Sequence, residues 1–77
     1  MKNVNTLKKL GYKIRLTRLE KKLTQETLAF DAALTAPYIG QVERGKANIS
    51  INKLEMIANA LDVDIKDLFD FTIDSLM

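Results

Sequence analysis

The side chains of this chain that could do chemistry are acids, bases and amides, because histidine and cysteine are both absent. Their absence excludes thiol and imidazole catalysis, disulfide bonds and the usual zinc ligands. Carboxylates between Asp62 and Asp74 could act as acids or bases, but they fall on the outer face of a predicted helix and indicate solvated charge. With no glycine-rich phosphate loop, and only 77 residues from which to build a pocket, the sequence predicts no enzyme and no cofactor.

The most informative stretch is TAPYIGQVERG, residues 35–45. Ile39 and Val42 are three residues apart, as in the buried stripe of a helix. Proline inside a helix costs about 3 kcal/mol, but with Thr35 as the N-cap Pro37 falls in the first turn, where it marks a helix start. Gly45 then ends this helix in a left-handed conformation.

The opposite face of this helix carries little bulk apart from a glutamine and an arginine. Its residues are Ala36, Pro37, Gly40, Gln41 and Arg44. Small residues suit a helix that lies deep in a groove of another molecule, where Gly40 would let the backbone approach closely. The chemistry left to this face is hydrogen bonding by the Gln41 amide and charged contact by Arg44.

Helical periodicity throughout the chain, without β-branched alternation, predicts a compact all-α domain of five helices spanning residues 1–77. The predicted helices begin near Asn5 or Thr6, after Thr24, after Thr35, after Ser50 and near Asp64. Residues 25–32 and 35–44 are joined by so few residues that a sharp turn is required, which is a helix-turn-helix. Ala29 is small enough to lie where these two helices cross.

Charge is distributed unevenly along the chain. Residues 1–22 carry a net charge of +7, residues 23–53 are neutral, and residues 54–77 carry −5. A basic end suits an anionic partner, although solvated helix faces would explain the same pattern. The chain has no apolar run long enough for a signal peptide or a membrane span, and the lack of cysteine fits the cytoplasm.

A chain of this size without disulfides or metals gains stability from self-association. Residues 64–77 have more apolar positions on one face than a small core needs, and we expect them to form a dimerisation helix. Core packing or a frayed end would explain the same excess. The predicted interface residues are Phe69, Phe71, Ile73 and Leu76.

Three segments in order and at matching spacing resemble the helix-turn-helix family of phage repressors, Cro proteins and their XRE-like relatives. They are LTQETLA (23–29), YIGQVERG (38–45) and LEMIANALDV (54–63). The resemblance runs from about Leu10 to Phe69. The small size and the apolar C-terminal segment are also similar to the controller proteins of restriction–modification systems, which are compact dimers of this lambda-repressor-like fold.

The resemblance implies a bacterial or phage homodimer that places one recognition helix per subunit into successive major grooves of a near-palindromic DNA operator. It implies a repressor or activator without a small-molecule ligand. The residues implied to reach base edges are Ala36, Pro37 and Gln41. Those implied to contact phosphates are Gln25, Thr35, Tyr38, Arg44, Lys46 and Asn48. Arg18 and Glu43 correspond to a buried salt bridge, a scaffold role.

Three positions depart from the family pattern. Lys22 stands where glycine usually ends the first helix, and Ala33 stands where glycine is usual in the turn between the next two helices. A left-handed conformation at Ala33 would cost on the order of 1–2 kcal/mol. Gly40 replaces a usual serine, which leaves the reading face poor in hydrogen-bond donors and shifts specificity towards DNA shape. A second hypothesis also stays open: some relatives are antitoxins, co-activators or repressor antagonists, whose helix-turn-helix contacts protein.

Overall fold

The computed structural model describes residues 4–72, which form four α-helices and one 3-10 helix. The elements are α1 (Val4–Glu20), α2 (Gln25–Ala32), α3 (Ala36–Glu43), α4 (Ile51–Leu61) and the 3-10 helix η1 (Ile65–Phe69). The all-α prediction is confirmed, since these residues contain no strand. No helix within them is long and apolar enough to cross a membrane.

Side-chain caps begin α2, α3 and α4. The hydroxyls of Thr24, Thr35 and Ser50 accept hydrogen bonds from the amides of residues three positions further on. Pro37 lies in the first turn of α3, where its missing N–H costs no helical hydrogen bond. The three predicted caps are therefore confirmed, and they fix where each of these helices starts.

A residue in the left-handed conformation follows each of the four α-helices, including Asp62 after α4, with a φ of 60°. Gly45 has a φ of 73° after α3, as predicted. Ala33 and Lys22, which replace the family's usual glycines, have φ values of 60° and 61°. Both residues accept the strained conformation because the turn on either side of α2 requires it.

The prediction of a fifth α-helix is wrong: η1 is a 3-10 helix of only five residues. The amide of Asp70 donates to the carbonyl of Asp67, an i→i−3 bond, and Asp70 itself is extended. Its carboxylate accepts hydrogen bonds from the hydroxyl and the amide of Thr72, and these bonds lower the pKa of the Asp70 carboxyl. The side chain thus competes with the helical hydrogen-bond ladder and stops it.

The core is built from all five elements. Ile14, Leu28, Ile39, Ile57 and Leu68 are completely buried, one from each element. Ile39 and Val42, predicted to form the buried stripe of α3, are buried, and so is Ala29 of α2. The further buried apolar residues are Leu10, Ala32, Leu54, Ala58 and Leu61.

Gly11 sets the distance between α1 and the end of α3. A Cβ on Gly11 would overlap the carbonyl oxygen of Val42 and lie 2.7 Å from that of Glu43. Real side chains do not tolerate such contacts, so only glycine lets α1 pass this close. This contact, together with the buried stripe of α3, determines which face of α3 is exposed.

Candidate nucleic-acid interface

The exposed face of α3 is the candidate contact surface. Ile39 and Val42 are buried beneath α3, whereas Pro37, Gln41 and Arg44 are exposed. Ala36 and Tyr38 are half-buried. The three residues implied to read bases, Ala36, Pro37 and Gln41, are therefore all on α3, and among them only Gln41 carries a hydrogen-bonding side chain.

The prediction that Gly40 is open to another molecule is wrong, because Gly40 is buried within this chain. A Cβ at this position would lie 3.2 Å from Nη1 of Arg44 and 3.8 Å from the amide of Gln25. Both side chains lie close to Gly40, one from α2 and one from the end of α3. The small residue therefore makes room for Arg44 and Gln25 instead of exposing backbone.

A buried ion pair holds α1 against α3. Arg18 donates from Nε to Oε2 of Glu43 at 2.7 Å and from Nη2 to Oε1 at 3.1 Å. Its Nη1 donates to the Leu23 carbonyl at 2.9 Å. Both charged side chains are at least nine-tenths buried, at 9% and 3% exposure, so each depends on the other for its charge to be tolerated.

The same ion pair positions Gln25. The Gln25 amide donates from Nε2 to Oε1 of Glu43 at 3.0 Å, which links the start of α2 to the end of α3. An amide nitrogen carries two hydrogens, so one remains for another acceptor, and the half-buried side chain is held before any partner arrives. The Gln25 amide is thus fixed in position, with one N–H hydrogen left to donate.

The other residues implied to contact phosphates border α3. Thr35 accepts a hydrogen bond from the Tyr38 amide at 3.3 Å, which leaves its hydroxyl hydrogen able to donate outwards. Lys46 and Asn48 are exposed in the loop between α3 and α4. The backbone of Lys8 passes directly beside Gly45, so α1 adds a second lysine next to this loop.

One charged residue next to this surface was missed by the sequence analysis. Lys53, in the first turn of α4, places Nζ 5.0 Å from the centroid of the Tyr38 ring. Lys53 lies outside the three segments that resemble the helix-turn-helix family. No neighbouring residue in the sequence indicates that it contacts Tyr38. Only the position of the start of α4 beside Tyr38 reveals it.

Negative charge collects elsewhere in the described part of the chain. Asp62, Asp64 and Asp67 line an open hollow with Asn59 and Val63. Residues 4–72 contain no group of side chains arranged to hold a metal ion. Phosphates would be repelled by this hollow and attracted by the basic residues around α3, so the charge distribution favours α3 as the surface facing an anion.

The fold defines a helix-turn-helix protein: α2 and α3 form the motif, and α3 is held in place with one face exposed. The model of the helix-turn-helix family matches residues 14–68, and the chain belongs to that family. The match includes α2, α3, α4 and the buried ion pair.

Several relatives are controller proteins of restriction–modification systems. The chain is 48% identical over 63 residues to control protein C.BamHI of Bacillus amyloliquefaciens, covering 80% of this chain and 78% of the relative. The crystal structure of the restriction–modification controller protein C.AhdI from Aeromonas hydrophila superposes with a TM-score of 0.81 and 44% identity, covering 82% and 96% of the two chains. A hypothetical transcription factor from Neisseria superposes with a TM-score of 0.85 and 32% identity, covering 99% of this chain and 87% of that one.

Proposed function

We propose that this chain is a sequence-specific DNA-binding transcription regulator that acts as a homodimer on a near-palindromic operator. The single observation that carries the proposal is the exposed face of α3, held by the Arg18–Glu43–Gln25 network and bordered by basic side chains. Such a regulator acts on DNA in the cytoplasm. It recognises its operator by laying α3 in the major groove.

The contacts divide into two kinds. Gln41 reads a base, its amide suiting the N6 and N7 edge of adenine, while Ala36 and Pro37 offer apolar contact to a thymine methyl. Gln25, Thr35, Tyr38, Arg44, Lys46 and Asn48 bind phosphates and fix the register of the protein on the duplex. Because direct reading rests on so few groups, DNA shape contributes to the choice of site.

The regulated genes include its own in this proposal. The regulator responds to its own concentration, without a small-molecule ligand. Activation or repression depends on where the operator lies relative to the polymerase site.

Residues 64–77 form the dimer contact in this proposal. Phe69 is 42% exposed, and its ring lies 6.3 Å from that of Phe71. Ile73 and Leu76, the other two predicted interface residues, lie outside the described residues. Burial of the two phenylalanines against a second copy would remove apolar surface from water, the usual driving force for such contacts.

A nuclease footprint on the DNA upstream of its own reading frame tests the proposal. The expected result is two protected half-sites whose centres lie about one helical turn, roughly 34 Å, apart. Sedimentation of the same complex should give two chains per duplex. A single protected site with one chain would contradict the homodimer, and no protection at any sequence would contradict the DNA-binding function.

The second candidate function is a protein-interaction module, as in antitoxins or repressor antagonists. The observation that favours it is Phe30, an aromatic residue on α2 with 84% of its surface exposed. Large exposed aromatic side chains are common in protein interfaces. A monomer in solution without DNA affinity would support this function over the first.

A further inference from the structure

Lys53 and Tyr38 form a contact between two helix starts. Nζ of Lys53 lies 5.0 Å from the centroid of the Tyr38 ring, within the roughly 6 Å over which a cation is attracted to an aromatic face. Tyr38 is half-buried in the first turn of α3, and Lys53 is exposed in the first turn of α4. The contact therefore links the recognition helix to the following helix at the edge of the candidate interface.

The backbones on both sides of this contact are fixed. The Lys53 amide donates to the Ser50 hydroxyl at 3.1 Å, and the next residue, Leu54, is 1% exposed in the core. The Tyr38 amide donates to the Thr35 hydroxyl, and the ring packs against the same core. The conformation of the lysine side chain is not fixed by these backbone contacts, and its Nζ lies over the ring.

Within residues 4–72 no carboxylate forms an ion pair with Lys53. The ion pair in that part of the chain joins Arg18 and Glu43. The charge of Lys53 is therefore available to an anion that reaches the Tyr38 hydroxyl, because the ring that Lys53 covers carries that hydroxyl at its edge. A DNA phosphate is the anion expected at this place.

We propose that Lys53 is a positioning residue for Tyr38: it holds the phenol in the orientation that contacts a DNA phosphate and supplies a positive charge to the same phosphate. This inference rests on the proposed function of the α3 surface. It assigns a role in DNA binding to α4, a helix whose buried residues complete the core.

The first test is made without DNA. Ring currents shift protons above an aromatic face upfield, so the side-chain methylene protons of Lys53 should resonate upfield of those of Lys66, an exposed lysine on η1. The Tyr38→Leu substitution should abolish that difference, whereas Tyr38→Phe should keep it. Equal shifts for Lys53 in the wild type and in the Tyr38→Leu variant would overturn the contact itself.

The second test is a double-mutant cycle on operator DNA. Lys53→Met keeps the aliphatic stem and removes the charge, and it should weaken binding roughly fivefold and reduce the salt slope by about one. In the Tyr38→Leu background the same substitution should weaken binding clearly less, because the ring it acts through is absent. Asn52→Ala, at the exposed uncharged neighbour of Lys53 in the first turn of α4, is the control and should leave affinity and salt slope unchanged.

The cycle separates this inference from the proposed function. If the wild-type protein binds its operator and Lys53→Met is as costly with Tyr38 as without it, the lysine acts alone and the inference is overturned. If Lys53→Met binds like the wild type, it is overturned as well. If the wild-type protein binds all duplexes with the same affinity, the proposed function fails. The upfield shift of the Lys53 protons still reports the contact with Tyr38 in that case.

Discussion

In the proposed function Gln41 carries most of the direct sequence reading, because its exposed amide lies on the same helix as Ala36 and Pro37, which offer only apolar contact. A glutamine that grips adenine contributes about 1–3 kcal/mol of discrimination against another base. Gln41→Ala should therefore weaken operator binding by about tenfold or more and leave binding to a scrambled duplex unchanged. Fluorescence anisotropy with both duplexes measures the two affinities.

Lys46→Ala is the matched control for Gln41. It removes a charge from the loop after α3, and it should weaken both duplexes alike while reducing the salt slope by about one. Equal losses on both duplexes for Gln41→Ala would mean that this residue binds the backbone and reads no base.

Gly40 offers a second prediction at the residue scale. A methyl group there would press on Nη1 of Arg44, the end of a flexible and exposed side chain that is free to move away. Because alanine favours a helix by about 1 kcal/mol over glycine, Gly40→Ala should raise the Tm. It should also weaken binding to both duplexes, since Arg44 loses its position. A lower Tm would show that the space over Gly40 cannot adjust.

At the scale of elements, the turn between α2 and α3 stores backbone strain. Ala33 has a φ of 60° and a ψ of 38°, a conformation that glycine adopts without penalty. Ala33→Gly should stabilise the protein by about 1 kcal/mol. Urea denaturation measures this change. Ala60→Gly, within α4, is the control and should destabilise by about 1 kcal/mol. Destabilisation by both substitutions would refute strain at Ala33.

We expect the protein to lose much of its stability when one partner of the ion pair between α1 and α3 is removed, because the other charge then stays buried without its partner. Glu43→Ala would leave the buried Arg18 guanidinium without its counter-charge, at a cost of about 3–5 kcal/mol. Replacement of both residues by apolar ones, Arg18→Met with Glu43→Leu, should restore much of the lost stability. Chemical denaturation of the two variants checks this. If the double variant were as unstable as Glu43→Ala, the pair would stabilise the protein by more than the neutralisation of one charge by the other.

The sequence predicts the elements whose signals are local. Thr24, Thr35 and Ser50 cap their own helices, and Pro37 lies within one turn of its cap, so nearby residues determine these starts. The end of η1 was not predictable from periodicity, because the Asp70 carboxylate competes with the helix for the Thr72 amide.

The environment of Gly40 and the partner of Tyr38 depend on packing between elements distant in the chain. Gln25 reaches Gly40 from α2, and Lys53 reaches Tyr38 from α4. Helical periodicity assigns a residue to a face, but it does not specify which side chain of another helix covers that face. The candidate site was therefore predictable as a list of residues and not as a set of contacts.

At the scale of the whole molecule, positive charge near α1 and α3 and negative charge near the C-terminal end orient the protein on an anion. The acidic hollow of Asp62, Asp64 and Asp67 overlaps the start of residues 64–77, the predicted dimer segment. Phe69→Lys would place a charge in that contact. It should shift the solution mass towards a monomer and weaken operator binding, while Phe30→Lys, the same change at an exposed phenylalanine on α2, should keep the dimer. Sedimentation equilibrium distinguishes these outcomes, and a dimeric Phe69→Lys protein would exclude this surface.

The most direct test of the central claim is fluorescence anisotropy with duplex DNA from upstream of the protein's own reading frame, titrated beside a scrambled duplex across a range of salt. We expect tight binding to the first duplex alone, with two chains per duplex and an affinity that falls steeply as salt rises. Equal and weak binding to both duplexes would contradict sequence-specific recognition at this site.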